Sequence, residues 1–277
     1  MGAFMLKFVK FAVVAAVLAC AAPVLAQTPA ERLGDAIDLI NNRFGPQAEF
    51  RAPPPASDPE VAKSLADIEA SMEVFATPAF PIDGLSTFAS VCVPLSQLPV
   101  RYVTAGMNSV FPDSKPPTTP QEYYALMNKP EALSLMARNA IRHQDVATLF
   151  MVTSVKCMSL HMPVVEKFWQ DLPPSERTAV RIQGLKQLRS GAAGMVRGAV
   201  LNATDPSMST KNRNLLTVAA ATYLPAMART LPVSERKVLL AEVLKADPAF
   251  KRTYPKEFEI ITQTLSSTEC TDVCLVP

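Results

Sequence analysis

Apolar residues recur at three- and four-residue intervals over most of this chain, and the strict alternation of a half-buried strand is confined to short runs. Leu33, Ile37 and Ile40 share one helical face between about Pro29 and Phe44, and Gly45-Pro46 closes that helix. A second helix is expected behind Asp58-Pro59-Glu60, a capping residue followed by proline in the first turn, with Val61, Leu65, Ile68, Met72 and Phe75 along one side. Between the two, Pro53, Pro54 and Pro55 favour an extended connection.

From Thr77 to Thr119 the helical period fails. Prolines at 78, 81, 94, 99, 112, 116 and 117 argue against long helices, so an irregular segment is expected, with Val91-Cys92-Val93 and Val100-Arg101-Tyr102-Val103 as candidate short strands. A long stretch without regular structure is commonly functional, and packed against helices it would wall a groove.

Residues 120–266 read as successive helices: Pro120–Asn128, Pro130–His143, Asp145–His161, Pro163–Asp171, Ser175–Asn202, Ser207–Thr230, Ser234–Ala246 and Pro255–Ser266. The stretch from Asp145 to His161 is apolar nearly all round, which marks a central, buried helix. The pattern predicts a mainly α protein, a helical bundle or stacked helical hairpins with an irregular proline-rich segment near residues 77–119. Its parts would be an acidic helical segment at 27–76, the connector at 77–119 and a helical core with a cysteine-bearing tail at 120–277. Leu172-Pro173-Pro174-Ser175-Glu176-Arg177 is echoed by Leu231-Pro232-Val233-Ser234-Glu235-Arg236. Two copies of a serine-capped helix start explain the echo without a repeat array, which usually needs three or more units.

The first residues change the expected compartment. Lys7 and Lys10 precede an apolar stretch from Phe11 to Ala22, and Val24 and Ala26 are small enough for a peptidase that cuts before Gln27. Residues 1–26 are therefore expected to be a secretory signal peptide, too short in its apolar run to span a bilayer comfortably. The protein is expected to be exported, periplasmic or extracellular. The alternative is a lipid anchor through Cys20, since Val17-Leu18-Ala19-Cys20 resembles a lipobox. Loss of the leader leaves Cys92, Cys157, Cys270 and Cys274, and an oxidising compartment would pair them. Three connectivities are open; Cys270–Cys274 as a local loop and Cys92–Cys157 across the fold is the expected one.

Charge is balanced overall and polarised along the chain. The formal net charge of +2 falls to 0 without Lys7 and Lys10. Nine acids and four bases lie between Gln27 and Phe75, whereas Arg177 to Ser234 holds eight bases and the single acid Asp205. The basic stretch (Arg177, Arg181, Lys186, Arg189 and Arg197 at its centre) would either face the acidic helices or bind an anionic envelope component or acidic protein. Nucleic acid is set aside because export removes the protein from it. Gly184, Gly191, Gly194 and Gly198 fall in the same stretch, and close helix–helix approach along a thin seam would offset their cost.

Candidate chemistry is sparse. No nucleophile elbow, zinc-protease helix, phosphate loop, cofactor-binding motif or Cys-x-x-Cys pair occurs, and His143 and His161 are the only histidines. General bases are few, so a binding or structural role is favoured over catalysis, with an enzyme using a groove walled by residues 77–119 as the alternative. A further alternative is an envelope metal-binding protein. Cys157 and His161 lie four apart on one helical face and Met158 and Met162 on the next, a soft donor set suited to Cu(I) or zinc. That site and a disulfide at Cys157 exclude each other.

Overall fold

The apolar stretch after His143 becomes one helix, Gln144–Asp171, and the rest of the chain is arranged around it. This is seen in a computed structural model, which describes residues 35, 38, 54, 55, 57–75, 83–111, 119–246 and 248–276. Within these the helices are α1 Pro59–Phe75, α2 Asp83–Thr104, α3 Met107–Val110, α4 Pro120–Met127, α5 Pro130–Arg142 and α6 Gln144–Asp171. After a 3-10 turn at Pro174–Glu176 come α7 Ala179–Thr204, α8 Thr210–Ala228, α9 Val233–Leu244, α10 Pro248–Thr253, α11 Pro255–Ser266 and α12 Asp272–Leu275. No strand occurs among the described residues, and the protein is mainly α, as its period predicts. The leader and most of the helix expected at Pro29–Phe44 lie outside the described residues.

α6 packs against α1, α2, α5, α7, α8 and α12, and α8 in turn carries α7 and α11. One buried cluster runs from Val61, Ile68 and Met72 on α1 through Phe150, Met158 and Met162 on α6 to Leu224 on α8 and Ile261 on α11. Each such side chain, fully buried, contributes on the order of 1.5–3 kcal/mol. The acidic segment thus shares its core with the later helices. Among the described residues α6 alone is long and apolar enough to cross a bilayer, and most of that apolar stretch is buried inside the fold.

The proline-rich segment corrects the expectation drawn from it. Residues 83–104, which include both candidate strands, form the continuous helix α2 with Pro94 and Pro99 inside it. Each internal proline removes a backbone hydrogen bond and costs about 3 kcal/mol in an exposed helix. Here Cys92, Leu95, Leu98 and Tyr102 recur at helical spacing, are all buried, and seat α2 on α6. The Cys92–Cys157 disulfide fastens the two helices covalently. Tertiary burial outweighs the local penalty. The same holds at Pro163, where a helix break was expected and α6 runs through to Asp171.

Local starts follow the sequence more closely. Asp58 Oδ1 accepts from the backbone N–H of Glu60 (2.9 Å) and Val61 (3.3 Å), the cap that the Asp-Pro-Glu motif implies. Thr119 and Glu122 make a reciprocal capping box on α4. The echoed motif is a correction: in the first copy Thr178, not Ser175, caps the helix, and in the second the helix starts at Val233 without a side-chain cap.

Both expected disulfides are formed, Cys92–Cys157 and Cys270–Cys274. The second closes the tail so that Val273, fully buried, completes a small cluster with Val165, Trp169, Leu172 and Leu185. Arg177 covers that cluster, its guanidinium 5.2 Å from the Trp169 ring centroid.

Candidate functional site

The two soft-donor helical faces do not make a metal site. Cys157 is bonded to Cys92, so its thiolate is unavailable to a metal. Met158 and Met162 are core residues. His161 is buried in mid-helix, where desolvation pushes its pKa down to about 4. Among the described residues no group of three histidine, cysteine, aspartate or glutamate side chains converges on one point. The helical spacing is as expected, and packing around α6 uses these side chains for the core.

The expected basic face is also dispersed. Arg189 is 5 % exposed and donates to the carbonyls of Val273, Cys274 and Val276 at the end of the tail helix. Arg177 donates to Trp169 O and Leu172 O at the end of α6, and Arg213 to Ala203 O near the end of α7. Arg181 pairs with Glu176, Arg197 with Glu242 on α9, and Arg229 with Glu166 on α6. Lys186 is exposed. The positive excess largely satisfies carbonyls and dipoles at helix C-termini, with ion pairs to α6, α9 and the turn before α7. On α1, Asp67 pairs with Lys63, and Glu69 accepts from Thr153 Oγ1.

The glycines do not line a closed seam. The face of α7 that packs inward carries Ala192, Val196, Ala199, Val200 and Ala203, all buried. Gly191 and Gly194 are exposed and Gly198 half-buried, and a methyl group built on any of the three meets no other atom within 4 Å. They open onto a trough. α2 and α7 both pack on α6 and make little contact with each other, which leaves the trough between them with α6 as its floor.

The trough has two adjoining parts. The smaller, about 320 Å³, is bounded by Ser96, Pro99 and Val100 on α2, Met151 and Ser154 on α6, and Gly191, Gly194, Met195 and Gly198 on α7. The larger, about 540 Å³, shares Pro99, Val100 and Met151 with it. It widens beneath α5, where Met136, Ala137, Ala140 and Ile141 form a wall, and is closed by Met127 of α4 and by Asp205, Ser207 and Met208 of the α7–α8 loop. From the segment 77–119, the α2 residues Ser96, Pro99, Val100, Val103 and Thr104 line the trough, whose remaining described walls come from α4, α5, α6, α7 and the α7–α8 loop.

Specific hydrogen bonds hold these walls. Asn139, buried on α5, donates to Val103 O (3.0 Å) and Ala105 O (2.8 Å), which fixes α5 against the last turn of α2. Gly106, in the left-handed conformation (φ 78°), then turns the chain out of α2. At the far side Gln144 Oε1 accepts from Ser209 N (2.7 Å) and Asn212 Nδ2 (3.2 Å). Asn212 also donates to Asp145 Oδ1 (2.7 Å), so the loop that closes the trough is latched to the start of α6.

Most of the lining is apolar, and methionine recurs in it: Met127, Met136, Met151, Met195 and Met208. Methionine is a pliable surface for apolar ligands. The rim is apolar as well, with Val100 52 %, Ile141 59 % and Tyr123 38 % exposed. Among the described lining residues Asp205 is the sole carboxylate and no lysine or arginine occurs. His143 lines the trough with its ring 5.5 Å from that of Tyr102. Burial, then the neighbouring Arg142, lowers its pKa below the usual histidine value, so it is neutral at pH 7. Among the described residues no serine or carboxylate is hydrogen-bonded to that imidazole. Asp205 instead accepts from Ser207 N at 2.8 Å in its own turn. At the floor Thr148 is 1 % exposed, and its Oγ1 has no hydrogen-bond partner among the described residues.

The signal in the sequence is distributed: Gly191, Gly194, Gly198 and Asn202 follow one helical stripe, while the opposite wall lies on α2, whose prolines mask its helical period. No protein-family model, no curated protein and no solved structure matches this chain.

Proposed function

We propose that this is an exported, periplasmic binding protein that holds a small, mainly apolar ligand in the trough between α2, α5, α6 and α7. The observation that carries the proposal is the trough itself, a cavity of about 540 Å³ extended by one of about 320 Å³ and walled by methionine and aliphatic side chains. Cavities of a few hundred cubic ångströms with apolar walls and few polar groups are the usual form of small-ligand sites. An apolar rim around such a cavity fits an interaction site better than an inert surface. Two disulfides support an oxidising, exported location. The polar lining groups orient a ligand; no reaction is assigned to them.

Titration with N-phenylnaphthylamine, whose fluorescence rises in apolar surroundings, tests the reading. The account expects saturable binding at one site, lost in Ala147→Phe, which fills the floor of the larger cavity, with far-UV circular dichroism unchanged. Binding that survives this substitution would place the probe elsewhere and overturn the assignment.

A further inference from the structure

The trough's electrostatics and an unsatisfied buried hydroxyl among its described lining residues narrow the ligand class, an inference that rests on the binding reading above. An anionic head would need a cation or a set of converging N–H groups in the lining. Neither trough part contains a lysine or arginine among the described residues, and the carboxylate present is Asp205 at the loop. A cationic head would find its one carboxylate, Asp205, half-buried at the margin and none at the floor among the described lining residues. At the floor Ser154 already donates to Phe150 O, whereas Thr148 is a buried hydroxyl without a partner among the described residues. Leaving such a group unpaired costs roughly 1–3 kcal/mol. A ligand hydroxyl or carbonyl, reached by rotation of the threonine side chain, removes that penalty.

Shape constrains the remainder. On α7 the stripe from Gly191 to Asn202 spans about 16 Å at the helical rise of 1.5 Å per residue. The trough is therefore long, and its glycine end is open, so that a side chain placed at Gly191, Gly194 or Gly198 would extend into its space. We propose that the ligand is an uncharged, single-chain amphiphile whose hydroxyl or carbonyl end meets Thr148 and whose alkyl chain passes Met151 and lies over Gly194.

Displacement of N-phenylnaphthylamine from the exported, disulfide-bonded protein by decanol, decanoate and decylamine tests this. Decanol should compete at a concentration at least about tenfold lower than either ion, the discrimination expected where a charge would be desolvated without a partner. Thr148→Val should weaken decanol about five- to tenfold, the loss of one hydrogen bond, without lowering the melting temperature of the free protein. Gly194→Leu should weaken decanol while sparing butanol, which is too short to reach it. Equal or better competition by decanoate or decylamine would overturn the uncharged-head inference and leave the binding reading intact. Decanol binding unaffected by either substitution would overturn the placement. If the probe itself fails to bind, the binding reading falls and takes the inference with it.

Discussion

Replacing Gly191, Gly194 and Gly198 together by alanine separates an open trough from a packed seam. Glycine within a helix is about 1 kcal/mol less favourable than alanine, so three replacements offer roughly 2–3 kcal/mol if nothing opposes the new methyl groups. Nothing does: a Cβ at each position meets no atom within 4 Å outside its own helix and neighbours. For a protein of this size that gain corresponds to a rise in melting temperature of roughly 5–10 °C. Urea denaturation followed by circular dichroism, with both disulfides intact, should show a higher midpoint at unchanged slope. The same variant narrows the trough, so N-phenylnaphthylamine affinity should fall as stability rises. A loss of stability would refute the reasoning, because it would mean that α7 is closely approached at its glycines and that the methyl groups overpack the contact. A gain in stability with unchanged affinity would detach the glycines from binding.

Other expectations follow from the interactions that hold the frame. Converting Cys92 and Cys157 to alanine opens a cross-link spanning 65 residues, and chain entropy puts the loss at about 4 kcal/mol, measurable as a drop in the urea midpoint. His161 has its pKa depressed to about 4 by burial; its stabilising contribution is complete above the unfolded value near 6.5 and is lost as pH falls toward 4. That amounts to about 3 kcal/mol, and a His161→Gln variant should lack this part of the acid dependence in denaturation curves. Arg189→Met removes the donor to the Val273, Cys274 and Val276 carbonyls, so amide hydrogen exchange should accelerate across 271–276 while the centre of α6 keeps its protection.

The parts of the fold that were legible in sequence are those governed by local chemistry. The Asp58 cap, the start of α4 at Pro120, and α11 at Pro255–Ser266 appear where their residues place them. The all-round apolar stretch became the central helix α6. What was illegible depends on tertiary burial. Pro94 and Pro99 read as breakers because the compensating contacts of Leu95, Leu98 and Tyr102 with α6 lie far along the chain. The run of basic residues reads as a face for the acidic helices or for an anionic partner, because the carbonyls it serves belong to helix ends that sequence alone does not bring near. The glycine stripe was visible, but the same spacing suits a tight contact and an open wall. Only the position of α2 decides between them.

Methionine provides the most direct test, because it lines the trough and also fills the core. With methyl-labelled methionine, resonances of Met127, Met136, Met151, Met195 and Met208 report on the trough, while those of Met72, Met158, Met162 and Met227 report on the buried core. Titrating decanol should shift the first set, with Met151 at the junction of the two cavities moving most, and leave the second set in place. Shifts confined to the core methionines, or spread evenly over both sets, would contradict the account.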